Sequence, residues 1–403
     1  MNSRQKRLLA LILVCGLCLG LAALLATMAG RAAVTKPTGG PASHGSATTS
    51  PATPAPLAAS GSPAASPSAG PANRIPTLAP ASPTPAPTPT AATPAISPIY
   101  WGVSMPGVPG ELRTLSSWEQ DVAGKGVSIV HWGHFWGLNG GYRAWSDSAL
   151  DQVRAHGAIP MISWTPEDSD PSRWQLRKII QGEHDAYIRQ FATDARNWGH
   201  PFFLRIMHEM NGNWGYPWQE DTNGNGRGEF VRAWRHIVDI FHQVGVTNAS
   251  YVWCPNIESP DSDTPAYSSL YPGDGYVDWT CLDGYNWGTN RPEGWATFDQ
   301  VFSRSYREIL RVAPSKPVMI GEFGSAQEGG SKADWIASAL AQIRTSYPQV
   351  RAVVYYNRLD RRRGMDWRIE PAAPDASAWR AGIADSYYSS NSLGDITGQV
   401  PIP

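Results

Sequence analysis

The sequence predicts a closed (β/α)8, or TIM, barrel of roughly 300 residues, a length that supports one large core. Three observations predict it. Eight short apolar or β-branched runs recur after Ile99, amphipathic stretches separate them, and polar or aromatic side chains cluster just after the runs. Alternating strands and helices build a parallel sheet, and eight repeats close it into a barrel whose chemistry gathers at the C-terminal strand ends. A doubly wound open sheet is the alternative. It would normally carry a glycine-rich phosphate loop after an early strand, and the sequence has none.

Two segments precede that body. Residues 1–33 read as a signal peptide or a membrane anchor: Arg4, Lys6 and Arg7 precede an uncharged, mostly apolar run from Leu8 to Gly30. The run is long for a secretory segment and meets the roughly 20 residues that span a bilayer, so both fates stay open. Residues 34–98 are dominated by Pro, Ala, Ser and Thr. They have too few large apolar side chains to build a core, and a solvated tether is expected. The folded part, 99–403, is therefore expected outside the cell, secreted or anchored to the outer face of the membrane, and monomeric.

In chain order the strand-like runs are Tyr100–Val103, Val127–Trp132, Ala158–Trp164, Pro201–Met207, Ala249–Trp253, Cys281–Tyr285, Pro317–Gly321 and Arg351–Tyr356. Helices are expected over His184–Asn197, Gly228–Val244 and Thr297–Val312. In the second, Phe230, Trp234, Ile237, Val238 and Phe241 fall on one helical face.

A net charge of -1 offers no basic stripe for nucleic acid. The 18 tryptophans point to carbohydrate, because indoles in a cleft stack on the apolar faces of sugar rings. Cys254 and Cys281 are the only cysteines outside the leading segment. They sit at neighbouring strands, and whether they pair stays open. Asp221-x-Asn223-x-Asn225-Gly226 imitates the start of a calcium loop but has Arg232 where a bidentate Glu belongs. It reads as a polar loop capping the helix from Glu229. No pair of histidines has metal-ligand spacing on one helix, so neither a metal nor a cofactor is expected.

Two strand ends carry the chemistry. Phe203-Leu-Arg205-Ile-Met-His208-Glu209 runs into Asn211-Gly-Asn-Trp214, and Pro317-Val-Met-Ile-Gly321 delivers Glu322 between glycines. Carboxylates at the mouth of an apolar strand are costly unless bonded or used. Two of them match glycoside cleavage, in which one protonates the departing oxygen and the other attacks the anomeric carbon. Arg205 joins the substrate-binding candidates, as do Trp164 and Trp287, which end or follow their runs, by the same positional rule.

These segments resemble glycoside hydrolase family 26, best known for endo-β-mannanases. The likeness rests on Arg205, His208-Glu209, Asn211, Gly212 and Trp214; on Tyr271-Pro-Gly-Asp274 through Asp278-Trp279 into Leu282-Asp283-Gly-Tyr285-Asn286-Trp287; and on Gly321-Glu322-Phe323-Gly324. His208 before the acid is the distinguishing mark, since most of the wider clan carries Asn there. The resemblance implies Glu209 as acid/base, Glu322 as nucleophile, His208 as a subsite ligand, Tyr285 as partner of the nucleophile and Trp214 as a sugar-stacking wall. Burial near Trp214 would keep Glu209 protonated, and bonds from Tyr285 and Arg205 would keep Glu322 ionised. It also implies an endo-acting, retaining enzyme on a β-linked polysaccharide, foremost a 1,4-β-mannan. A mixed-linkage β-glucanase or xylanase and a non-catalytic polysaccharide-binding barrel are the alternatives. Asp366-Trp367-Arg368 resembles a subsite-shaping segment, but the basic run Arg358 to Arg363 before it departs from the pattern and reads as a solvated loop.

Overall fold

The computed structural model describes residues 97–258 and 264–403. The leading segment, the tether and the alternatives drawn for them lie outside the described residues. Eight parallel strands close a barrel: β1 Tyr100–Ser104, β2 Ile129–Phe135, β3 Ile159–Thr165, β4 Phe202–Ile206, β5 Ala249–Trp253, β6 Trp279–Asn286, β7 Val318–Ser325 and β8 Val350–Tyr356. Each neighbours the next, and β1 pairs β8 through Tyr100–Ala352 and on to Ser104–Tyr356. This is the predicted (β/α)8 barrel. The outer layer comprises α1 Leu112–Trp118, α2 Asp147–Ala155, α3 Asp185–Trp198, α4 Glu229–Val244, α5 Phe298–Val312, α6 Lys332–Ser346 and α7 Ala373–Ile383. Between β5 and β6 the described residues form a one-turn helix, Tyr267–Leu270.

The three expected helices form within a residue of their predicted ends. In α4, Phe230, Trp234, Ile237, Val238 and Phe241 are buried as the periodicity requires, and Gly245 ends the helix in the left-handed region. Helix α5 starts in a capping box, with Thr297 accepting from the Gln300 amide and Gln300 accepting in return. The Asp221–Gly226 loop is tied to neighbouring backbone: Asn225 donates to Pro217 and Gln219 carbonyls and accepts from the Leu176 amide. The first amides of α4 are taken by Glu220, which accepts from Gly228 and Phe230, so the capping carboxylate lies just before the loop.

Strand alternation sorts the buried apolar side chains into two cores. Tyr100, Ile129, Ile159, Met161, Phe203, Val252, Trp279, Met319 and Val354 pack inside the barrel. Their alternates, including Trp101, Val130, Ile162, Leu204 and Trp253, pack outward against the helices. Cys254 and Cys281 belong to the inner set and are disulfide-bonded, with Cα atoms 4.2 Å apart, which settles the pairing.

Candidate active site

Above the apolar floor the inward positions turn polar. Ser163, Arg205, Asp283 and Glu322 follow Met161, Phe203, Cys281 and Met319 toward the C-terminal mouth. Arg205 is fully buried and spends every donor edge: Nε on Ser163 Oγ at 2.8 Å, Nη1 on both Asp283 oxygens at 2.8 and 2.9 Å, and Nη2 on Glu322 Oε1 at 2.5 Å. Burial alone would push the guanidinium down, but Asp283 and Glu322 outweigh it and raise it further, so it stays cationic. Tyr285, two residues beyond Asp283 on the same face, donates to Glu322 Oε2 at 2.5 Å. Both oxygens of Glu322 thus accept, one from a cation.

A bulge delivers Glu322. Between Leu282 and Asp283 the pairing with β7 slips, so Asp283 faces Glu322 and Gly321 is skipped. Gly321 has to be glycine: a Cβ would come within 2.3 Å of Cys281 Sγ, 2.9 Å of Asp283 Oδ1 and 3.1 Å of Arg205 Nη1.

Glu209 follows β4 in a turn where Met207 and Glu209 have φ of 42° and 52°, left-handed values rare for side-chain-bearing residues and frequent at functional sites. Neighbours hold the turn: the Glu209 amide donates to Cys254 O at 2.7 Å, and its carbonyl accepts from Gln219 Nε2 at 3.0 Å. Its Oε1 accepts from Asn256 Nδ2 at 2.7 Å, and Asn211 pins the Asn256 backbone in both directions. Glu209 is 7% exposed and Glu322 9%, so both are largely dry yet reachable. Burial, then the charge of Glu322, push Glu209 up to about 7; Asn256, Arg205 and Arg363 pull against that rise. Glu209 therefore holds a proton that it can give or retake near neutral pH.

His208 is pushed well below its ordinary value by burial and by Arg205, so it is neutral. It rests beside the stacked pair Tyr216 and Trp218, and Trp218 Nε1 donates to its carbonyl. His208, Glu209, Trp214, Tyr285, Trp287 and Glu322 line one cleft of about 720 Å³ at the barrel mouth. Arg205, expected among the substrate-binding residues, is a correction: it is fully buried, outside the cleft lining, and supports Glu322.

Trp164 is a correction. It is fully buried on the outer face of β3, against Trp136, Tyr187 and Phe191, with Nε1 donating to Tyr187 Oη. Of the pair Ser163-Trp164, alternation sends Ser163 inward and Trp164 outward, so Trp164 belongs to the core. The run Arg358–Arg363 is solvated as expected, with Arg361, Arg362 and Arg363 exposed, but it is ordered. Arg358 donates to Ser104 Oγ and Met105 O, and Arg363 pairs with Asp360 at 2.8 Å, so the run is a structured hairpin. Trp367 is buried with its ring 4.7 Å from that of Tyr285, while Asp366 pairs with Arg368. Sequence reasoning assigned no role to Asn256 or Asp283. Both were findable: Asn256 stands just beyond β5, and Asp283 shares parity with Cys281 and Tyr285.

Residues 167–347 match the model of glycosyl hydrolase family 26. Endoglucanase H of Acetivibrio thermocellus is 39% identical over 268 residues, which is 66% of this chain and 28% of that protein. A mannan endo-1,4-beta-mannosidase of Bacillus subtilis is 27% identical over 220 residues, covering 51% of this chain and 55% of that one. The chain thus spans little more than a quarter of the first relative and about half of the second. In fold it is similar to a Cellulomonas fimi endo-beta-1,4-mannanase, with a TM-score of 0.56 at 20% identity over 76% of each chain.

Proposed function

Because the chain belongs to glycosyl hydrolase family 26, we propose that it is an endo-acting, retaining β-glycoside hydrolase whose substrate is a 1,4-β-mannan. The observation that carries the chemistry is the division of labour between the two carboxylates. Glu322 accepts from Arg205 and Tyr285, while Glu209, raised to about 7, keeps a proton. In the first step Glu322 attacks the anomeric carbon as Glu209 protonates the glycosidic oxygen, and the leaving sugar departs with that proton. In the second, Glu209 takes a proton from water, whose oxygen attacks the anomeric carbon and frees Glu322. Two intact, supported carboxylates speak against a binding-only barrel.

Mannan as substrate is supported by the relatives named mannan endo-1,4-beta-mannosidase. His208 is consistent with it: a mannosyl unit holds its 2-hydroxyl axially, where a partner other than the clan's Asn is expected. One observation favours a second reading, a β-glucan: the 39% identical relative is named an endoglucanase. Hydrolysis of glucomannan, galactomannan, barley β-glucan and xylan side by side decides. Fastest release of reducing ends from the mannans supports the first reading, and fastest release from barley β-glucan installs the second. Binding without release on all four would overturn the hydrolase. The basic, apolar N-terminal segment supports export, so activity is expected outside the cell.

A further inference from the structure

The hairpin after β8 is pinned at its base and lines the cleft with Asp360 and Arg363. Leu359–Asp360 pairs with Met365–Asp366, Arg358 is fastened to the end of β1, and Asp360 accepts from the Arg362 and Arg363 amides in the turn. The turn carries the Arg363 guanidinium to 5.5 Å from the centre of the Trp214 ring. Trp214 stands on the loop after β4, and β4 is four strands from β8 in either direction around the barrel. The contact therefore joins loops that follow opposite strands, in the cleft that both carboxylates line.

Trp214 is held by its ring face and not by its N–H, for which a guanidinium has no acceptor. Its Nε1 has no hydrogen bond, and its indole lies over Gly212, where a Cβ would come within 2.5 Å of that nitrogen. Arg291, stacked 3.7 Å over Trp287, approaches the same ring at 5.9 Å. A guanidinium over an indole gains from the ring's negative face and orders both groups.

Building on the hydrolase reading, we propose that Arg363 is a positioning residue for the acid/base side of the site: it holds the Trp214 wall in place and sets a positive charge beside Glu209. The groups that act on Glu209 come from every surrounding element: Glu322 from β7, Arg205 from β4, Asn256 after β5, Asp283 from β6, Tyr216 on its own loop and Arg363 from the hairpin. Arg363 is a cation at the rim, beside Arg291, and its charge favours the ionised form of Glu209.

Arg363→Gln and Arg363→Lys separate the two roles. In Arg363→Gln the alkaline limb of the kcat/KM profile should move up by about 0.5 pH unit, as expected for one partly solvated charge, and KM should rise about three- to fivefold, as expected for losing one exposed cation–π contact. Arg363→Lys keeps the charge but loses the planar stack, so the limb should stay and KM should still rise. A limb unmoved in Arg363→Gln, with KM within twofold of wild type in both variants, would overturn the proposal. Carboxyl titration of 13C-glutamate-labelled protein, assigned with Glu209→Gln, reads the same shift without turnover. An inactive wild type would therefore defeat the hydrolase reading and leave this one still tested.

Discussion

Replacing Arg205 by Met should unfold the barrel's polar layer from its centre. Arg205 is fully buried and is the cation shared by Asp283 and Glu322, so its removal leaves Asp283, which burial already pushes well above the usual carboxylate range, without its partner and Glu322 with Tyr285 alone. Breaking a buried pair from one side costs about 3–5 kcal/mol, chiefly the penalty of the charge left behind. Unfolding entropy near 2.1 cal/mol/K per residue over roughly 300 residues gives about 0.6 kcal/mol/K, so Tm should fall by about 5–8 °C. Calorimetry of wild type and variant measures this. Adding Asp283→Asn removes one stranded charge, so the double variant should recover about 2 kcal/mol relative to additivity. Turnover should collapse in both, because Glu322 loses the donor on Oε1. An Arg205→Met protein melting within a degree or two of wild type would refute the buried, charged arrangement of Arg205, Asp283 and Glu322.

Other consequences are as direct. Glu209 binds its proton more tightly folded, at about 7, than unfolded near 4.5, so its contribution to stability is lost as pH rises through that window; wild type should lose about 3 kcal/mol relative to Glu209→Gln between those limits, read from urea melts at each pH. The alkaline limb of kcat/KM should fall near the same value. Trp164→Ala should cost about 3–5 kcal/mol with KM unchanged, whereas Trp287→Ala should raise KM with a smaller change in Tm; the opposite pattern would restore Trp164 to the site. The Cys254–Cys281 bond closes a 27-residue separation, so the double Ala variant should lose about 3–4 kcal/mol, and peptide mapping without reductant should recover the two cysteines cross-linked.

The barrel was legible because alternation of apolar runs and amphipathic helices is a long-range pattern, repeated until only closure fits it. The catalytic pair was legible because each carboxylate ends an apolar strand. Trp164 misled for a local reason. The rule that chemistry gathers at strand ends does not say which of two adjacent residues faces the lumen, and only the register with β2 and β4 settles it. The bulge that brings Glu322 opposite Asp283 is a pairing between two strands and leaves no trace in either alone. Likewise, Arg358 to Arg363 is a charge run in sequence, and its anchors Ser104 and Met105 lie more than 250 residues away.

The division of roles between Glu322 and Glu209 is tested most directly by trapping. A 2-deoxy-2-fluoro glycoside with a good leaving group slows breakdown of the glycosyl-enzyme, so the sugar should remain on the nucleophile. Peptide mapping should place the added mass on Glu322, with none in Glu322→Gln. A label on Glu209 or elsewhere, or no label in a protein that turns over β-glycans, would contradict double displacement through Glu322.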